Sequence, residues 1–265
     1  MHISNSDLKL PIVKTSDRRV SRAASRSPAT KPADATRARI VSAAVQAFAH
    51  RGFEAVSLKE ITTASGVNVA AIHYHFGSKE ALIREVLQSM TEPVNRMRRE
   101  LLEQVPAGKR RTLEHVVEAL VAPPIRLGFD AAGDGRLLPR LILQTRALPS
   151  QFTTATIFQQ YDDTAALFVQ AMMDAEPGLA KEEAYWRYAF AIGAMHYIVT
   201  EADAANHRLA RISGGLCDTD DPDTIIRQLI AFVVAGIRAR APARRPDAAS
   251  STPPKKTRPH DPPHR

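Results

Sequence analysis

Ser65-Gly66-Val67-Asn68-Val69-Ala70-Ala71-Ile72-His73-Tyr74-His75-Phe76-Gly77-Ser78-Lys79 is the stretch around which this 265-residue chain is organised. Just ahead of it, Ser57-Leu58-Lys59-Glu60 has the form of a capping box: the Ser57 hydroxyl accepts from the Glu60 backbone while the Glu60 carboxylate reaches back. Leu58, Ile61 and Ala64 then give a short helix its apolar stripe, and Gly66 ends it. Val67 fills the corner, Asn68 caps a second short helix, and Ala71, Ile72 and Phe76 divide between the core and an exposed face. A two-turn helix, a tight glycine turn and a second short helix have the form of a helix-turn-helix, whose second helix enters the major groove of DNA.

Upstream, Ile40, Ala43, Ala44, Ala47 and Phe48 recur at helical spacing, with Asp34 or Thr36 as the cap and Gly52 closing the helix after about Arg51. Downstream, Ser78-Lys79-Glu80 caps a fourth helix whose apolar positions Leu82, Ile83, Val86, Leu87 and Met90 continue until Pro93 perturbs it. Beyond it the helical pattern is punctuated at Pro106-Ala107-Gly108, Pro123-Pro124, Gly133-Asp134-Gly135, Pro149-Ser150, Pro177-Gly178 and from Ser213 to Pro222. No segment sustains a period of two, so the chain is expected to be all-α.

The net charge of +8 is concentrated at the ends. Residues 1–33 carry seven Lys or Arg against two Asp, residues 238–265 carry eight against two, and the stretch between is slightly acidic. Both ends are rich in Ser, Pro, Arg and Ala without periodicity, which predicts disorder. Residues 1–33 read either as a solvated tail or as a basic arm adding nonspecific phosphate attraction. The single Cys217 allows no internal disulfide, and no apolar run is long enough for a membrane span or a signal peptide. A cytoplasmic, nucleoid-associated protein is expected, with no membrane partner and no cofactor.

Enzyme chemistry finds no support in the motifs. The chain has neither a glycine-rich phosphate loop nor a nucleophile elbow, and Asp162-Asp163 and Glu182-Glu183 are adjacent on helices, where side chains diverge. His73 and His75 lie two apart, which points them to different faces of a helix and argues against a metal site. No catalytic residue and no metal site are expected.

With these residues in view, Thr36 to Leu87 resembles the DNA-binding domain of the TetR/AcrR family of transcriptional regulators. The likeness is carried by Ile40 to Phe48, Gly52-Phe53, Ser57 to Ile61, Ala64 to Val67 and Ile72 to Leu82. It implies an all-helical homodimer with an N-terminal helix-turn-helix domain (34–84) joined to a helical effector-binding and dimerisation domain (85–240), flanked by basic segments 1–33 and 241–265. The implied function is a repressor that binds a pseudo-palindromic operator in double-stranded DNA and is released by a small apolar or acyl-type effector. Two tracts, Asn68 to Phe76 and Trp186 to Tyr197, also resemble a subgroup that includes fatty-acid-responsive regulators.

Carried over by position, Ser57, Lys59, Asn68, Val69, Ala70, Ala71 and His73 face bases or the backbone edge, and Tyr74, His75 and Lys79 grip phosphates. Tyr74 also admits a reading as core. Val69 stands where a base-reading polar or basic side chain is usual. Flanked by Ala70 and Ala71, it can touch thymine methyls but cannot form bidentate bonds to guanine or adenine. Sequence choice is then expected to rest on Lys59, His73 and DNA shape. In the second domain, Phe168, Met172, Trp186, Phe190, His196 and Tyr197, with Phe152 and Phe158, read either as an effector cavity or as plain core. Ile192, Val199, Ile226, Leu229, Ile230 and Val233 are expected at the dimer interface, because the apolar face from Ile225 to Ile237 is wider than one core-facing stripe needs. A protein-binding adaptor using the same fold is the alternative, favoured only by the basic ends.

Overall fold

The structure is a computed structural model that describes residues 32–105, 109–130, 133–147, 151–202 and 207–240, with backbone alone at 32, 146, 147, 151–160 and 202. The basic segments, apart from residues at their inner ends, lie outside the described residues, as do the side chains of Phe152 and Phe158. Among the described residues the regular structure is helical throughout: α1 (Pro32–Arg51), α2 (Leu58–Ser65), α3 (Val69–Phe76), α4 (Lys79–Glu103), α5 (Leu113–Gly128), a 3-10 turn (Asp134–Leu137), α6 (Leu138–Ala147), α7 (Gln151–Ala175), α8 (Lys181–Val199), a 3-10 turn (Thr200–Ala202), α9 (Arg208–Ile212) and α10 (Pro222–Arg238).

Two apolar cores account for this order. The first gathers Ile40, Ala44 and Phe48 of α1, Ile61 of α2, Ile72 of α3 and Leu82, Val86 and Leu87 of α4. It is closed by Leu137, Leu138, Leu141 and Ile142 from the turn before α6 and from α6 itself. A piece of the chain far downstream is therefore built into the N-terminal head. The second core joins α5 (Val117, Leu120, Ile125), α7 (Phe168, Met172), α8 (Ala191, Met195, Val199) and α10 (Ile226, Leu229, Val233), with Leu102 entering from the end of α4. The long α4 thus belongs to both cores.

Three prolines expected to interrupt helices do not. α4 continues through Pro93 to Glu103, and α5 continues through Pro123 and Pro124 to Gly128. Each proline removes one intrahelical donor, but Val94 and Leu102 of α4, and the whole of α5 from Ala119 to Ile125, are buried in the cores. That burial outweighs a local loss of about 3 kcal/mol per proline.

The link between head and second domain is polar as well as apolar. A Cβ on Gly135 would stand 2.3 Å from Leu127 Cδ1, so only glycine lets the 3-10 turn close onto the end of α5. That closure aims Asp134 at α1. Gln46 Nε2 donates to Asp134 Oδ1 at 2.6 Å and Ser42 Oγ to Oδ2 at 3.1 Å. On α6, Gln144 Nε2 donates to the Ala49 carbonyl at 2.9 Å, giving α1 a second tie.

Candidate nucleic-acid interface and its control domain

The geometry of the head follows from its caps. Ser57 Oγ accepts from Glu60 N at 3.3 Å, and the Glu60 carboxylate accepts from Ser57 N at 2.7 Å. Arg51 adds a 2.8 Å ion pair to Glu60. The Arg51 guanidinium, followed by the Ser57 backbone and hydroxyl, holds the Glu60 carboxyl down at about 2. α2 ends at Gly66, which is left-handed at φ 66°, and Val67 N closes the turn onto Thr62 O at 3.1 Å. Asn68 Oδ1 then accepts from Ala71 N at 2.9 Å to start α3. Ser78 Oγ does the same for Ala81 N at 3.1 Å to start α4. Three successive helices therefore begin with capped N-termini, where free amides and the helix dipole favour phosphate.

Ile72 is the one fully buried residue of α3, Ala71 and Phe76 pack partly against the first core, and the opposite face is open. Tyr74 is 82% exposed, which settles it outside the core. His75 is half-buried and meets the Tyr74 ring edge-on, with centroids 5.0 Å apart. Val69, Ala70 and His73 are exposed and Ala71 is half-buried against the first core. On α2, Lys59 is exposed and pairs with no acid among the described residues.

Two of these side chains are held by backbone carbonyls in ways the sequence did not announce. His73 Nδ1 lies 3.0 Å from the Gly77 carbonyl. A carbonyl only accepts, so Nδ1 carries the proton, and in the neutral ring Nε2 faces outward as an acceptor. Lys79 Nζ donates to the Glu54 carbonyl at 3.4 Å. This contact seats the start of α4 beside the loop that precedes α2 and fixes the ammonium at the helix N-terminus. The arrangement joins an apolar, aromatic helix surface to a rim of amide and ammonium donors, which suits the groove and backbone of a nucleic acid.

The second domain redistributes the residues expected there. Phe168 and Met172 are fully buried in the second core, and His196 is half-buried. Trp186, Phe190 and Tyr197 do not line a cavity with them: they are 55%, 58% and 56% exposed on the outer face of α8. The residues expected at the dimer interface pack inward within the single chain. Val199, Ile226, Leu229 and Val233 are buried in the chain's own core, and Ile192 and Ile230 are half-buried against it. The exposed aromatics of these two helices are Trp186, stacked on Phe190 at 5.8 Å, and Tyr197 on α8, and Phe232 on α10. Among the described residues no group of three His, Cys, Asp or Glu is placed to hold a metal ion, and no helix is long and apolar enough to cross a membrane.

Comparison with known proteins agrees with this architecture. The model for bacterial regulatory proteins of the tetR family matches residues 40–86, and a tetracyclin repressor-like C-terminal domain matches residues 118–236. The transcriptional regulator UidR of Escherichia coli is 28% identical over 145 residues, spanning 54% of this chain and 68% of that protein. TtgR of Pseudomonas putida is 40% identical over 60 residues, 23% of this chain and 29% of its own length. Among solved structures, Salmonella enterica GusR shares the fold at TM-score 0.56 and 21% identity, covering 80% of this chain and 99% of that one. The fatty acid degradation regulator FadR from Bacillus halodurans aligns at TM-score 0.57 and 18% identity, covering 76% and 100%. The head, the shared α4 and the matched second domain together make this chain a DNA-binding transcriptional regulator of the TetR/AcrR family.

Proposed function

We propose that the chain works as a homodimeric repressor that docks two copies of α3 in successive major grooves of a pseudo-palindromic operator and is released by a small effector. The observation that carries this reading is the head itself: an exposed α3 framed by three capped helix N-termini, Lys59 and the seated Lys79. Ser57, Lys59, Asn68, Val69, Ala70, Ala71, His73, Tyr74, His75 and Lys79 are the proposed DNA contacts. Backbone contacts supply most of the affinity, and His73, with its acceptor Nε2, faces base-edge amino groups such as those of cytosine or adenine. The protein acts in the cytoplasm, on the nucleoid.

The second copy covers the α8–α10 face. Trp186, Phe190, Gly193 and Tyr197 form one stripe on α8, and a Cβ on Gly193 would meet nothing within 4 Å. Phe232 is 69% exposed on α10, which packs on α8. Large aromatics left this open on adjacent helices, with a small residue between them for close approach, suit an isologous contact.

Effector control passes through the piece of the chain that the head borrows. A movement of α5 is carried by Leu127 and Gly135 to Asp134, and from Asp134 to Gln46 and Ser42 of α1. Half-sites one turn of DNA apart, about 34 Å, tolerate little change in the separation of two recognition helices, so a small tilt of each head is enough to break simultaneous docking. The direct test is mobility shift of the full chain on the DNA flanking its own gene. Retarded complexes that resist unrelated competitor DNA are expected, whereas binding abolished equally by any competitor overturns the operator reading.

A further inference from the structure

The interior of the second domain contains a full charge. Arg98 on α4 is 2% exposed, and it is the only basic side chain among the buried described residues. Its Nε donates to the Leu120 carbonyl at 2.8 Å. That bond has a plain origin, because Pro124 has no N–H and leaves this carbonyl without its helical donor. The other contacts are weaker: Nη1 lies 3.4 Å from Asn95 Oδ1, and Nη2 lies 3.5 Å from the Met195 sulfur. A guanidinium has five N–H groups, so two are left over. Burial opposes the charge, Tyr161 and Tyr188 act in the other direction, and among the described residues no carboxylate does.

A neutral amide at position 98 would satisfy the Leu120 carbonyl as well, so what needs a cause is the charge. Buried charges without a counterion are strongly unfavourable, and arginine does not shed its proton to escape. Arg98 also does not stand alone. Thr91, Asn95 and Arg98 follow one another at helical spacing on one face of α4, and all three are buried. A polar stripe ending in a cation, set against a core that includes Leu120, Phe168, Met172 and Met195, has the composition of a site for a ligand with an apolar body and one polar end.

We propose that Arg98 anchors a single carboxylate carried by an otherwise apolar effector, bound where α4, α5 and α8 meet. A monoanion is specified because no second buried cation is present among the described residues to balance a phosphate dianion. The guanidinium fork matches a carboxylate with two parallel bonds. Because Arg98 already holds α5 through Leu120, a carboxylate competing for the same guanidinium acts directly on the helix that leads to Asp134 and the head. This rests on the reading of the second domain as the effector domain.

The test is thermal unfolding of the full chain with octanoate, decanoate, benzoate and phenylacetate at about 1 mM, each beside its primary amide, since a ligand of the native state raises Tm in proportion to its occupancy. At least one acid is expected to raise Tm while its amide does not. In Arg98→Gln, which keeps a donor for Leu120, affinity for that acid is expected to fall about 10- to 100-fold. Should Arg98→Gln fail to fold, Arg98→Lys, which keeps the charge but loses the fork, is expected to weaken the acid selectively. Equal shifts for acids and amides, no shift with any acid, or a shift that survives in Arg98→Gln overturns the proposal. DNA binding is measured in the same preparations: retained binding without acid selectivity removes the carboxylate anchor alone, and absent binding removes the regulator reading.

Discussion

Phe190→Ala tests the proposed dimer face without touching the fold. The Phe190 ring is 58% exposed in the single chain and, among the described residues, stacks on Trp186, itself 55% exposed, so truncation opens no cavity in the core. A phenylalanine has roughly 200 Å² to bury, so the exposed fraction that a second copy would cover is on the order of 110 Å². At about 25 cal/mol per Å² this is ~3 kcal/mol per protomer. In an isologous interface the change enters twice, giving ~5.5 kcal/mol and a dimer dissociation constant raised by roughly 10⁴-fold. Sedimentation equilibrium over a dilution series measures it, with circular dichroism and Tm as controls for the fold. A dimer constant within threefold of wild type, in a variant with unchanged Tm, refutes the placement of the interface on this stripe.

Further predictions concern the head and its coupling. Lys79→Ala is expected to weaken binding to all DNA alike and to reduce the slope of log K against log salt by about one, because one phosphate contact is lost; an unchanged slope removes Lys79 from the backbone contacts. His73→Ala is expected to relax discrimination at one base pair per half-site by about 1–3 kcal/mol, read from a set of single-substitution operators, and a uniform loss across the set counts against base reading. Asp134→Asn keeps an acceptor for Gln46 but drops the charge; DNA binding is expected to persist while the effector response falls, and an unaltered response shows that control runs by another route. For Glu60, the folded carboxyl is depressed from 4.5 to about 2, so its stabilising contribution is full above 4.5 and is lost as pH falls towards 2. Acid titrations of Glu60→Gln and wild type are expected to differ in slope within that window, and parallel curves contradict the Arg51–Glu60–Ser57 arrangement.

What was legible in the sequence was what short-range chemistry determines. The Ser57–Glu60 box, Asn68, Ser78 and Gly66 are local devices, and each stands in the structure where its residue type and spacing required. The prolines at 93, 123 and 124 misled because their cost is local while the burial that overrides it comes from other helices. The same reason explains which faces of α8 and α10 pack inward. Trp186, Phe190 and Tyr197 lie on one face of α8, and Ala184, Ala191, Met195 and Val199 on another. Both faces are apolar, so periodicity alone cannot say which one α5, α7 and α10 will cover. Large aromatics look like core, yet the smaller residues were the ones packed inside. Arg98 left a trace that was available: it occupies a buried turn of α4 behind Thr91 and Asn95, where an amphipathic helix would continue with apolar residues. Asp134, between two glycines, read as punctuation, and only the packing of Gly135 on Leu127 shows that its carboxylate faces α1.

The central claim is that two copies of α3 read DNA together. Hydroxyl-radical footprinting of the full chain on the DNA flanking its gene measures this directly. Two protected half-sites, related by a dyad and centred one helical turn or a whole multiple of it apart, are predicted, both lost together in Phe190→Ala at concentrations where that variant is monomeric. Protection of a single half-site, or the same two-fold pattern from a monomeric variant, contradicts it.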